Sequence, residues 1–324
     1  MTLARRQFFR LAGSGIALAA TGAIAQTYPS RPVRIIVPVA AGGPNDVSAR
    51  MVAQKLTEAW GHNVLIENMP GGSENIGMSA AARSKPDGYT LLFAAGAFTA
   101  NPVLYAKIPY DPIKDFAPVT LLASGPHVLS VHPSFPANTV QELVDVVKAN
   151  PGKYTFASSG AATQVRMVGE LFKLKHGLDL VHVPFNGGGP AINSAVGGHT
   201  PIIVTSLSAA ASVIRGGKLR GLAVTGKRRS PAVPDVPTMA ETGNAELEAG
   251  SMQGILAPAA TPKEIIDLWH REVARIAALP DVKERLASMG LDPIVNTPEE
   301  FAAYIKADIA KWGKVVKDAN IRIE

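Results

Sequence analysis

No cysteine occurs in the 324 residues of the chain. That absence excludes disulfide frameworks, thiol nucleophiles and cysteine-ligated zinc or iron–sulfur sites together. It leaves the compartment open, because a protein of an oxidising space need not carry disulfides. Charge is also scarce: 18% of residues are Asp, Glu, Lys or Arg, against about 25% in ordinary globular chains. Past the N-terminus no run of about 20 apolar residues is available to span a bilayer, so a soluble chain is expected. What is present is enough apolar material, 47%, to build ordinary cores and exclude general disorder. The length suits two domains of about 100–200 residues each. The 30 glycines and 25 prolines follow no G-X-Y period and read as frequent turns.

The formal charge of +6 is concentrated oddly. Arg5, Arg6 and Arg10 precede a short apolar stretch from Leu11 to Ile24, and Ala23-Ile24-Ala25 ends it. A basic start, a short apolar middle and an A-x-A end make a secretory signal, cleaved after about Ala25. The pair Arg5-Arg6 followed by Gln7-Phe8-Phe9 is similar to a bacterial twin-arginine signal. Residues 1–25 hold three arginines and no acid, so their removal lowers the net charge to +3. So mild an excess does not call for nucleic acid or a membrane surface as partner.

Strands and helices then alternate. Pro32 to Ala40 is apolar except for Arg34, as a strand buried on both faces requires. Val47, Met51, Val52, Leu56 and Trp60 lie on one face of the helix that follows, and Gly61 suits its C′ position. "NVLIEN" and "GYTLLFA" are further strands with a helix from Asn75 to Ser84 between them. After an extended segment from Asp115 to Pro133 the pattern resumes with a helix capped by Thr139 and Glu142. Strands at Tyr154 to Ser158 and Leu180 to Phe185 follow, then "TPIIVTS" and "LRGLAVTG". Gly250 to Pro262 is a second extended crossing, and three helices start at Pro262, Pro280 and Pro298. Close alternation argues for parallel βαβ units, and two such units joined by two crossings suggest domains hinged about a cleft.

Three strand-to-helix junctions carry small residues instead of charge. They are Pro38 to Asp46, Ala157 to Gln164, and Pro184 to Pro190. In open parallel sheets ligands bind at this edge, and helix N-termini offer unpaired N–H groups to an anion. Asn45 suits an N-cap and Pro190 the first turn of its helix. Each junction taken alone also suits an ordinary βα turn. No Walker or G-x-G-x-x-G signature is present, so nucleotides are not indicated. G-x-S-x-G, S-x-x-K and H-E-x-x-H are absent too. The seven histidines read as solvated or core residues. Asp46 reads as a helix-start acid that shapes a ligand loop. Asn68, Pro70, Gly71, Gly72, Asn75 and Gly77 read as a turn and cap. Trp60, Trp269 and Trp312 read as packing residues.

"YPSRPVRIIVPVAAGGPNDVSAR", "ENMPGGSENIG", "PDGYTLLFA", "YTFASSGAATQ", "HVPFNGGGPAINSAVGGH" and "GILAPAATPKEIIDLW" occur in that order. As an ordered set they resemble the Bug (TctC-type) periplasmic solute-binding proteins of tripartite tricarboxylate transporters, across nearly all of the chain past residue 25. The resemblance implies an α/β, two-domain type II periplasmic-binding-protein fold with a ligand cleft between domains, no cofactor or metal, and no chemistry on the solute. It implies ligand contacts from Val39, Ala40, Ala41, Gly42, Gly43, Asn45 and Asp46 in the first loop. Opposing contacts come from Ser159, Ala162, Thr163 and Gln164, from Phe185, Asn186, Gly187 and Gly188, and from Thr205. Four departures stand out: Val39 replaces a usual aromatic, Glu74 stands in a usual glycine stretch, Ala162 replaces a glycine, and Thr205 replaces an acid. Without that acid a buried ammonium has no partner, so a mono- or dicarboxylate lacking an amine is expected.

The implied domains are residues 26–125 and 253–324 for one and 126–252 for the other. The reading is a periplasmic receptor, monomeric, that presents a small organic carboxylate to membrane subunits of TctA/TctB type, with no nucleic-acid partner. A sensor handing the closed form to a signalling partner fits the same residues. An exported α/β hydrolase lacks a nucleophile–base pair.

Overall fold

The computed structural model describes residues 28–318 and 320–321. The expected export signal at residues 1–25 lies outside the described residues. The chain begins with β1 (Val33–Val37), α1 (Pro44–Trp60), β2 (Val64–Asn68), α2 (Asn75–Ala82), β3 (Thr90–Ala94) and α3 (Ala97–Leu104). A long strand follows, β4 (Phe116–Val131), then α4 (Val140–Lys148), β5 (Tyr154–Ser158), α5 (Gln164–His176), β6 (Leu180–Pro184) and α6 (Gly188–Val196). Next are β7 (Ile202–Ser206), α7 (Leu207–Arg215), β8 (Arg220–Val224) and β9 (Gly250–Pro258). The chain finishes with α8 (Lys263–Ala278), α9 (Pro280–Ser288), β10 (Asp292–Pro293) and α10 (Pro298–Asp318).

β1 pairs parallel with β2 and β3, and β5 pairs parallel with β6 and β7. These are the expected βαβ units, one set in each half. β4 joins them. Its first part pairs antiparallel with β9, from Phe116 opposite Pro258 to Pro126 opposite Gly250. From His127 onward it pairs antiparallel with β7, and from Val128 with β8 as well. One continuous strand therefore leaves the first sheet and enters the second at Pro126–His127.

Alternation along each strand sorts its side chains to two faces. Val33, Ile35 and Val37 pack with α1 and with Trp269 of α8, whereas Ile36 packs with Met78 of α2 and Phe301 of α10. Arg34, the one charge in that run, escapes to the surface and pairs with Glu67 on β2 at 2.9 Å. Trp60 and Trp269 meet edge to face, 4.9 Å between centroids, so the tryptophans of this half pack as expected. In the second half Leu129, Phe156 and Ile202 share a core with Trp312 and Val315 of α10 and with Leu104 of α3. Helix α10 thus begins in the first core and ends in the second.

Helix ends follow local chemistry. The Thr139 hydroxyl accepts from Glu142 N–H at 3.1 Å, while the Glu142 carboxylate accepts from Asn138 N–H at 2.7 Å. Gly61 closes α1 at φ +67°. Helix α3 gives no periodic signal, since it is short and contains Pro102; it stands because it packs against both cores.

Gly254 on β9 is a close-approach position, because a β-carbon there would lie 2.3 Å from the Phe301 ring. Gly254→Val is expected to cost about 2–3 kcal/mol of stability by overpacking. Chemical denaturation measures it, and an unchanged midpoint would contradict the packing described.

Candidate functional site

The first junction is held by one buried acid. Asp46, 2% exposed, accepts from Gly42 N–H and Arg50 Nε, both at 2.9 Å, on Oδ2. It accepts from Asn68 Nδ2 at 2.9 Å on Oδ1. Burial opposes ionisation, but these hydrogen bonds outweigh it and hold the carboxyl below its ordinary range. Gly42 adopts φ +86° to present its N–H. Asn68 Nδ2 also donates to Val39 O at 3.1 Å. Asp46 therefore braces the loop from within. Gly43, not Asn45, is the N-cap, because Pro44 takes the first helical position. Asn45 lies one residue further in and accepts from Gln253 Nε2 of β9 at 2.9 Å on Oδ1. Its amide nitrogen is the group left for other partners.

The second and third junctions brace each other. Phe185 N–H donates to Ser158 O at 3.0 Å and Gly187 N–H to Ser159 O at 3.1 Å. Thr163 caps α5 by accepting from Arg166 N–H. Helix α6 starts at Gly188 behind Gly187, whose φ of +112° suits glycine, so Pro190 occupies its third position and not its first. Gln164 reaches across to the first half: its Nε2 donates to Asp308 Oδ2 of α10 at 2.8 Å and to Thr99 Oγ1 of α3 at 3.2 Å.

The first and second junctions meet at a cavity of about 130 Å³, which the third does not line. Asn45, Glu74 and Gly96 line it from the first half, and Ser159, Thr163 and Gln164 from the second. Ser206 and Ser208 at the start of α7 complete the second wall, with His127 and Ser251 on the crossing strands. Of the residues named from sequence, Asn45, Ser159, Thr163 and Gln164 line this cavity. Val39, Ala40, Ala41, Gly42, Gly43, Asp46, Phe185, Asn186, Gly187, Gly188 and Thr205 do not form its wall. Ala162 is fully buried in the second core, and Thr205 is 1% exposed on β7 opposite Val128.

Sequence reasoning marked Glu74 as a departure without placing it in the site, and passed over His127, Ser206, Ser208 and Ser251. Glu74 had a visible signal, an acid in a glycine-rich turn, and it caps α2 at φ +74°. His127 had none beyond its place in a crossing strand. Four polar atoms of the wall, Glu74 Oε2, both His127 ring nitrogens and Gln164 Oε1, are buried without a partner among the described residues. Burial pushes Glu74 up to about 8 and His127 down to about 4. A larger recess of about 700 Å³ lies behind, between Ser124–Pro126 and Thr225–Ser230. Two of its arginines are paired: Arg228 with Asp292 of the same wall and Arg229 with Glu241 outside it, each at 3.0 Å. Among the described residues no cluster of His, Cys, Asp or Glu is placed to hold a metal, and no helix is long and apolar enough to cross a membrane.

Residues 48–321 match the family model described as tripartite tricarboxylate transporter family receptor. This chain belongs to that family. BugT of Bordetella pertussis is 34% identical over 320 residues, 97% of this chain and 98% of that protein. The solved structure of Rpa4515 from R. palustris with adipate is 32% identical, with a TM-score of 0.87, covering 91% of this chain and 99% of that one. MatC from Rhodopseudomonas palustris with bound malate is 31% identical, with a TM-score of 0.83, covering 89% and 100%. The two-domain periplasmic-binding fold read from the sequence is therefore the fold of this chain. Family members are periplasmic solute receptors rather than enzymes.

Two histidines respond to pH, the buried His127 on the cavity wall and the half-buried His182 against Ser158 Oγ. His127 and His182 fall to about 4 and about 3, first through burial, then through Lys311 for His127 and Arg166 and Lys173 for His182. Unfolded histidine titrates near 6.5. Their contribution is thus complete above about pH 6.5 and is lost as pH falls toward about 4, on the order of a few kcal/mol in all. Thermal unfolding across that range should show a falling Tm, with a shallower fall for His182→Gln. Glu74, protonated in the fold, offsets part of this loss, so the readout is the difference in slope between wild type and His182→Gln, and equal slopes would contradict the neutral state of His182.

Proposed function

We propose that this chain is an exported receptor that captures a small carboxylate-containing solute in the cavity between its halves and presents it to membrane subunits of TctA/TctB type. The observation that carries this reading is convergence: the starts of α1, α5 and α7 meet at one cavity. Helix starts supply unpaired N–H groups and the positive end of the dipole. The Asn45 amide and the hydroxyls of Ser159, Ser206 and Ser208 add neutral donors. Neutral and backbone donors hold a carboxylate without a fixed cation. Adipate and malate in the related structures support the same ligand class.

In this account Asn45, Ser159, Thr163 and Gln164 contact the solute. Val39 through Gly43 and Asp46, Ala162, Phe185 through Gly188, and Thr205 shape the loops that present them. Residues 26–125 with 253–324 form one domain and 126–252 the other. The domains close on the solute, which favours the closed population. The chain is exported by its N-terminal signal, loses residues 1–25, acts in the periplasm as a monomer, and needs no cofactor or nucleic acid.

A thermal-shift screen of organic acids should raise Tm with at least one, as mass action requires. Asn45→Ala should weaken that acid about tenfold or more while leaving the Tm of the unliganded chain within a few degrees. A stabilising acid that is consumed, or one bound equally by Asn45→Ala, would refute the assignment.

A further inference from the structure

The cavity is not evenly polar. Its second-half wall is lined by Ser159, Ser206 and Ser208, by Thr163, whose hydroxyl donates to Gly160 O, and by the starts of two helices. Its first-half wall presents Pro44, Ala95, Gly96 and Ala97, one amide, Asn45, and one acid, Glu74. No lysine or arginine is among the described lining residues. Oε2 of Glu74 is buried with no hydrogen-bond partner among the described residues. The ionisable groups around it do not relieve it. Tyr110 donates its hydroxyl to Met78 Sδ at 2.9 Å, and His127 across the cavity is held neutral by burial. Lys311 of α10 donates to Glu248 O at 2.5 Å in the larger recess.

A buried carboxylate without a partner is costly, and what relieves it most is an opposite charge. A neutral hydroxyl on the solute would give one hydrogen bond and no counter-charge. A second carboxylate would be met only by the protonated form of Glu74, which burial favours, and would gain one hydrogen bond but no opposite charge. We propose that the solute is zwitterionic, with a cationic nitrogen that pairs with Glu74 while its carboxylate lies against the Ser159, Ser206 and Ser208 wall. This deepens the receptor reading and rests on it. The acid absent at Thr205 is thereby supplied from the other half, at Glu74. The ligand expectation drawn from sequence, a carboxylate without an amine, changes accordingly. The rise of Glu74 to about 8 measures how poorly the empty surroundings support its charge, and a bound ammonium reverses that.

The test compares matched solutes by calorimetry near neutral pH: succinate with β-alanine, glutarate with 4-aminobutyrate, adipate with 5-aminovalerate. In each pair one carboxylate is replaced by an ammonium. The wild type should bind the amino member of at least one pair about tenfold or more tightly than its diacid. Glu74→Gln should lose that member by about tenfold or more and keep or gain the diacid. If Glu74→Gln fails to fold, Glu74→Gly, which relaxes the φ of +74°, takes its place with the same expectation. A wild type that prefers every diacid, or a pair ratio unmoved by the substitution, overturns this inference and leaves the carboxylate receptor standing. Binding of no carboxylate of either kind overturns the receptor reading and this inference with it.

Discussion

The antiparallel ladder between β4 and β9 carries the molecule. Both strands run from one sheet toward the other, and β4 changes sheets at Pro126–His127 without a break. Everything that faces the cavity hangs from this pair. Gln253 on β9 fixes Asn45, His127 on β4 stands opposite Ser206, and Gly254 admits Phe301. Helix α10 spans the same divide on the outside, with Phe301 in one core and Trp312 in the other. Two β-crossings and one helical strap let each half keep its own core while their helix starts face each other. A solute held between them would be held by both.

Within that frame, charge is used sparingly. Asp46 is spent on bracing a loop, and Asp308 receives Thr99 and Gln164. The cavity wall is left with amides, hydroxyls and peptide N–H groups. Such donors are fixed by the backbone and need no counter-charge when the solute is absent. A lysine or arginine there would bind an anion more strongly, but it would carry its own desolvation cost in the empty state. Glu74 is the one acid among the described lining residues, and its Oε2 is buried without a partner among the described residues. A departure from the otherwise neutral wall is where specificity is expected to lie.

Much of this could be read from residues. The buried run from Val33 to Val37, the crossings at Phe116–Val131 and Gly250–Pro258, and the Thr139 cap each follow from a local rule that the structure obeys. Where reading went astray, a neighbour decided the matter. Pro44 displaced Asn45 from the cap, and α6 begins at Gly188, two residues before Pro190. Helix α3 could not be seen, since packing from α10 and not propensity sustains it. The junction loops were found because small residues at strand ends are a backbone signature. Which atoms face the cavity was not legible, since Ala162 and Thr205 turn inward to the core while Glu74 and His127, distant in sequence, line the space.

The central claim is that the small cavity between the halves, not the larger recess behind the crossing strands, receives the solute through its carboxylate. A crystal structure of the chain with a stabilising organic acid tests it most directly. The account predicts the carboxylate within hydrogen-bond reach of the Asn45 amide or of the Ser159, Ser206 and Ser208 hydroxyls. A solute lodged instead between Ser124–Pro126 and Thr225–Ser230, with the small cavity unchanged, would contradict it.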